Sequence, residues 1–181
     1  MKKLIILTIF LITLYLGNQS RSGMYSIQEK EGVIYYENKT QYTQRVEQIV
    51  KEKREETRKQ RISKWKEILA GYNSPIQYKD GLLLNLYNTY GYEFSSLILA
   101  ISGSESSFAK NYLYNNAFGI GGADNLFHFK SIEDSFHYTA RLIKQREGDK
   151  LDINSIKHWY CPPTKESWAK NTQYFLKLLT I

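Results

Sequence analysis

The chain has 181 residues, enough for one ordinary domain with appendages or two very small ones, and its 42% hydrophobic and 24% charged residues argue against wholesale disorder. A net charge of +7 favours acidic partners: nucleic acid, anionic lipid or an anionic polymer. A single cysteine, Cys161, excludes an internal disulfide framework and a Cys-rich metal site, and His128, His137 and His158 lack close ligand spacing, so no metal and no cofactor is expected.

In chain order, Lys2 and Lys3 precede a mostly apolar run from Leu4 to Leu16, the pattern of an export signal. The run is short for a full membrane span, for which roughly 20 apolar residues are needed. Residues 1–20 are therefore expected to be a signal peptide or membrane anchor, placing the chain outside the cytoplasm, periplasmic or extracellular. Export makes nucleic acid an improbable partner for the positive charge. Residues 21–72 are expected to be a mobile tether followed by a charged helix. Arg21 to Thr40 shows no sustained period, though Val33-Ile34-Tyr35-Tyr36 suits a short extended piece. From Gln41 to Tyr72 there is no Pro, and the only Gly is Gly71; nine Lys/Arg and five Glu lie between Arg45 and Glu67. Lys51 to Arg61 contains no apolar residue, so a solvated helix is predicted, docked at its C-terminal end through Ile62, Trp65 and Leu69.

Residues 73–181 read as a compact all-α domain. Asn73-Ser74-Pro75 breaks the long helix; Tyr78 to Tyr90 follows with Leu82, Leu83 and Leu86 on one stripe and Gly91 as its C-cap. Phe94 to Ser102 is apolar nearly all round and predicts a helix buried in the middle of the domain. A loop rich in Asn, Gly and Tyr follows. Ser131 opens a helix carrying Ile132, Phe136, Ala140 and Ile143, with Asp134 three residues on. The last helix is expected over Lys165 to Leu179, with Trp168, Tyr174, Phe175, Leu178 and Leu179 as its apolar set.

Glu105 stands out. It follows the most hydrophobic helix of this domain, where partial desolvation would disfavour the ionised carboxylate and suit a proton donor near neutral pH. The stretch Ser104-Glu105-Ser106-Ser107-Phe108 resembles the glutamate motif of the lytic transglycosylases of the lysozyme-like superfamily. Asn115-Asn116-Ala117-Phe118-Gly119-Ile120 is similar to an element of bacterial N-acetylglucosaminidases. Trp159-Tyr160-Cys161-Pro162-Pro163 with Trp168 resembles a closing element of transglycosylase-like proteins. The resemblance covers about Gly81 to Leu179. It implies a lysozyme-like fold and a peptidoglycan-degrading enzyme, either a transglycosylase or a hydrolase. Glu105 would be the catalytic acid/base and Tyr160 a second catalytic residue. Ser106, Asn116, Phe118, Gly119 and Ile120 would bind the glycan strand. The implied partners are peptidoglycan, a larger envelope assembly and, through the N-terminus, a membrane. The alternative is a non-catalytic wall-binding or scaffold protein of the same fold. Two departures stand against the pattern: the "G-L-M-Q" element is absent, and no second carboxylate is evident beyond Asp124 and Glu133. A cysteine peptidase built on Cys161 is disfavoured, since Cys161 precedes Pro162-Pro163 and not a helix start.

Overall fold

The computed structural model describes residues 25–30, 33–122, 125–148, 150–160 and 165–180. The expected export segment, Asp124 and Cys161 lie outside the described residues. The chain divides into two units, residues 1–57 and 58–181, and the boundary falls inside one continuous helix.

In the first unit, β1 (Tyr25–Lys30) pairs antiparallel with β2 (Val33–Asn38), with Lys30 opposite Val33 and Tyr25 opposite Asn38. A hairpin thus stands where a tether is expected. The β-branched and aromatic run Val33-Ile34-Tyr35-Tyr36 has the composition of a strand, and the pairing partner preceding it carries no period strong enough to be read alone. Helix α1 (Lys39–Gly71) starts at once and crosses into the second unit. Its Val46, Ile49 and Val50 are exposed, whereas Trp65 and Leu69, near its end, are fully buried.

The second unit is helical. After a 3-10 turn (Pro75–Tyr78) capped by Ser74, which accepts from the Ile76 N–H, come α2 (Asp80–Tyr90), α3 (Tyr92–Ser106), α4 (Ile132–Glu147), α5 (Ile153–Tyr160) and α6 (Lys165–Thr180). Helix α3 is the central element: Phe94 and Leu97 through Ile101 are buried on every side, which an α-helix tolerates only when others surround it. Trp65 stacks on Tyr92 (centroids 5.5 Å apart, 8° between planes), and Arg61 sits 4.0 Å over the same ring, so the end of α1 is part of this core. Helix α4 begins as the Ser131 cap predicts, with the Asp134 N–H donating to Ser131 Oγ at 3.1 Å.

The lysozyme-like assignment does not hold. That fold requires a β-sheet, and the compact unit has no strand among its described residues, only an isolated bridge between Leu113 and Asn116. The two strands that exist belong to the other unit. The described residues between Phe108 and Lys130, where a sheet would have to lie, instead follow an irregular path. The backbone takes left-handed conformations at Tyr114 and Asn115, and scattered backbone bonds, Phe127 N–H to the Ile120 carbonyl and Phe129 N–H to the Tyr114 carbonyl, are supplemented by Asn side chains without forming a ladder.

Candidate functional site

Glu105 lies in the last turn of α3. Where the helix continues past the apolar run its serine hydroxyls are satisfied on the preceding turn: Ser102 Oγ donates to the Leu99 carbonyl (2.7 Å), and Ser106 Oγ lies 3.1 Å from the Ser102 carbonyl. It ends in an unusual turn, with Ser107, Phe108 and Ala109 all at φ between 52° and 58°. That left-handed stretch costs about 1–2 kcal/mol per non-glycine residue. It is held by Phe108 as a core ring, by the Ser74 hydroxyl donating to the Phe108 carbonyl, and by the Ala109 N–H donating to Ser106 Oγ at 2.9 Å.

The Glu105 carboxyl accepts a 2.7 Å hydrogen bond from Trp168 Nε1 on α6. Burial raises its pKa above the usual carboxylate range, and the indole N–H pulls it part of the way back. Its place at the helix C-terminus, the negative end of the dipole, works in the same direction as burial. Two cavities meet at this group. The first, about 590 Å³, is lined by Glu105, Ser106, Lys110, Asn111, Tyr112, Leu113, Asn116, Ala117, Gly119 and Leu126. The second, about 360 Å³, is lined by Glu105, Phe118, Gly119, Ile120, Gly121, Gly122, Leu142, Arg146, Trp159 and Tyr160. Glu105 and Gly119 border both, so the two are lobes of one groove with the carboxyl at the junction. Among the described residues, Glu105 is the only carboxylate on either lining.

The remaining residues singled out from the sequence mostly build the groove instead of facing a ligand. The single Ser106 hydroxyl proton lies within reach of two carbonyls, Ser102 at 3.1 Å and Ala117 at 2.7 Å; the shorter contact ties loop to helix and does not orient Glu105. Asn116 is a loop staple: its amide donates to the carbonyls of Ile120 (2.9 Å) and Phe127 (3.1 Å) and accepts from the Ile120 N–H (3.1 Å). Phe118 is core, edge-on to Phe136 at 4.8 Å. The Tyr160 hydroxyl donates to the Phe118 carbonyl at 3.3 Å, and its ring lies 5.3 Å from that of Trp168. Gly119 and Ile120 form wall; a Cβ on Gly119 would stand 3.8 Å from Glu105 Oε2. Sequence reasoning missed the polar role of Trp168, which reads as one apolar position of α6. A tryptophan in the first turn of an amphipathic helix carries an N–H that needs a partner when buried, and that was the available signal.

Comparison of the chain with protein-family models, with curated proteins and with solved structures finds no match. The glycan-cleaving reading is therefore corrected together with the fold it came from. Among its described residues the compact unit has no sheet to build a lysozyme-type site. No second carboxylate among the described residues borders the groove, and Glu133 is paired with Lys79 at 2.8 Å. Both the transglycosylase and the N-acetylglucosaminidase versions fall, as does the wall-binding scaffold of the same fold, and Tyr160 keeps no catalytic role. The partners drawn from the resemblance, peptidoglycan and an envelope assembly, fall with it. As for membrane contact, no helix among the described residues is long and apolar enough to cross a membrane. Among the described residues there is also no group of three or more His, Cys, Asp or Glu placed to share a metal ion.

The raised pKa of Glu105 has a consequence for stability. As pH rises past the ordinary carboxylate value, the unfolded chain releases this proton while the folded chain retains it. The stability carried by the neutral carboxyl is full below the unfolded pKa and is lost as pH rises through the higher folded one. Glu105→Gln keeps an oxygen for the Trp168 N–H and removes the titration. The variant is expected to gain about 0.5–2 kcal/mol over the wild type at neutral pH, the range common for relieving a strained functional group, and to converge with it in acid. Chemical denaturation of both proteins from acidic to neutral pH checks this; a constant difference at all pH values would contradict it.

Proposed function

We propose that the helical unit is a binding domain for a polar ligand that lies along the groove and accepts a hydrogen bond from the Glu105 carboxyl at its centre. The observation that carries this reading is the position of Glu105: it borders both lobes, no other carboxylate among the described residues does, and the Trp168 bond to Oε1 leaves Oε2 toward the Gly119 wall. A carboxyl with a raised pKa keeps its proton to higher pH than an ordinary one; while protonated it is a donor as well as an acceptor, and in a partly dry site such a donor discriminates strongly for a ligand oxygen. The surrounding wall supplies the rest of a small-ligand groove: aromatic faces from Tyr112, Trp159 and Tyr160, apolar surface from Leu113 and Leu126, and bare backbone at Gly119.

N,N-dimethylacetamide, which accepts hydrogen bonds and donates none, is a direct probe. Its binding is followed through the indole N–H resonance of Trp168. Binding is expected to be stronger to protonated Glu105 and to weaken by up to about tenfold as the carboxyl ionises, the worth of one hydrogen bond of roughly 0.5–1.5 kcal/mol. In Glu105→Gln, whose amide still donates, binding is expected to persist without pH dependence. Equal binding on both sides of the Glu105 titration would sink the proposal.

A further inference from the structure

The second lobe contains an arginine whose surroundings suit an anion. Arg146, in the last turn of α4, is exposed, and its guanidinium lies 4.5 Å over the ring of Trp159. Among the described residues no carboxylate pairs with it. Three lysines of this unit, by contrast, have carboxylate partners: Lys66 with Asp80 (2.7 Å), Lys79 with Glu133 (2.8 Å) and Lys157 with Glu166 (3.0 Å). The neighbouring carboxylate in sequence, Glu147, is turned elsewhere. One of its oxygens accepts from Trp159 Nε1 at 2.7 Å and the other from Ser155 Oγ at 2.6 Å.

This arrangement fixes a platform. Glu147 holds the indole of Trp159 in one orientation, and the indole face holds the guanidinium beside the lobe. The cation–π contact uses the ring face and consumes none of the five guanidinium donors. An arginine restrained in this way loses little side-chain entropy when it meets a planar acceptor, and its donors match a carboxylate or phosphate in pairs.

We propose that the second lobe is an oxyanion subsite, in which Arg146, seated on Trp159, binds a carboxylate or phosphate group of the ligand. The proposal rests on the preceding reading that the groove binds a ligand, and it adds the ligand's charge. Of the two carboxyl groups nearby, Glu147 is engaged by Trp159 Nε1 and Ser155 Oγ, and Glu105, held above the ordinary carboxylate value by burial, repels an anion sharing the lobe less than an ordinary glutamate would.

The test uses the full chain, labelled with 15N, and the indole N–H resonances of Trp65, Trp159 and Trp168. Inorganic phosphate and acetate are titrated separately at ionic strength held constant with sodium chloride. A saturable shift of the Trp159 resonance is expected with at least one anion, with Trp65 unmoved. Arg146→Gln is expected to weaken it about tenfold or more, while Arg141→Gln, at an exposed arginine of the same helix, leaves it unchanged. Response to phosphate alone assigns a phosphate-bearing ligand and response to acetate alone a carboxylate-bearing one; either supports the subsite. No shift beyond that of chloride, or an undiminished shift in Arg146→Gln with the Trp65 and Trp168 signals intact, overturns it. A dimethylacetamide response at Trp168 without an anion response at Trp159 would remove the subsite and leave the groove reading standing; loss of both would remove the groove reading as well.

Discussion

Gly121→Ala is expected to destabilise the protein by about 2–5 kcal/mol, about 1–3 for overpacking added to about 1–2 for a side chain at left-handed φ, and to lower its melting temperature by roughly 4–20 °C at about 2–4 °C per kcal/mol. A Cβ built on Gly121 would stand 2.1 Å from the Asn125 carbonyl oxygen and 2.8 Å from Phe127 Cδ1, and the backbone there is at φ +101°. Neither obstacle is the end of a flexible side chain, so the backbone itself must move. The bonds that close this part of the loop, Phe127 N–H to the Ile120 carbonyl (2.9 Å) and the Asn116 amide to the Phe127 carbonyl (3.1 Å), are the ones to break. Because Gly121 borders the second lobe, the Trp159 response to anions should be lost with them. Gly122→Ala is the contrast: its φ is +74°, but no atom lies within 4 Å of the added methyl, so only the conformational term of about 1–2 kcal/mol applies. Thermal unfolding of the two variants side by side decides the matter; equal losses would show that packing at Gly121 is slack.

The same loop explains what the sequence conceals. Apolar period alone locates α2, α4 and α6 closely, since each presents one stripe to a core. It ends α3 too early, at Ser102, because Gly103, Ser104 and Ser106 read as loop; the structure carries the helix to Ser106, with the Ser104 and Ser106 hydroxyls placed near carbonyls one turn back. Tyr78 falls outside α2 because Pro75 and the Ser74 cap favour a separate 3-10 turn. Helix α5 is too short, at eight residues, to impose a period on a segment otherwise notable for its aromatics. The prominence of Glu105 is legible, as a carboxylate beside a buried helix. Its partner is not, because Trp168 lies 63 residues away and nothing local distinguishes an indole with a carboxylate from one in a core. The short Ser-, Asn- and Gly-rich motifs misled for a related reason. Asn115 donating to the Phe129 carbonyl at 3.0 Å and Asn116 bonded to Ile120 and Phe127 are loop chemistry, which recurs wherever an irregular segment must satisfy its own backbone. Such residues report a loop, not a particular fold around it.

The contact of α3 with α6 at Gly103 carries the remaining prediction. Gly103→Ala would ordinarily favour a helix by about 0.5–1 kcal/mol. Here the added methyl would meet Phe175 Cδ2 at 2.8 Å and Phe108 Cε1 and Cζ at 2.9 Å, two rings already packed edge to face at 4.8 Å. Net destabilisation of about 1–3 kcal/mol is expected, with overpacking outweighing propensity. Phe108→Ala alone should cost about 3–5 kcal/mol as a large ring is removed from a fully buried site. The double variant should be less destabilised than the sum by about 0.5–3 kcal/mol, because one of the two clashing rings is gone, while Phe175 keeps the relief partial. The effect reaches the functional group through geometry. Trp168, Thr172 and Phe175 lie on one stripe of α6, with Thr172 Oγ1 2.8 Å from Ser104 Oγ and Trp168 bonded to Glu105. A methyl that pushes Phe175 outward tilts that stripe away from α3 and lengthens the Trp168–Glu105 bond. In Gly103→Ala the Trp168 indole resonance is therefore expected to lose its sensitivity to Glu105 ionisation. An unchanged titration of that resonance in a destabilised Gly103→Ala protein would show that α6 yields locally at Phe175, and that the carboxyl is positioned without help from this contact.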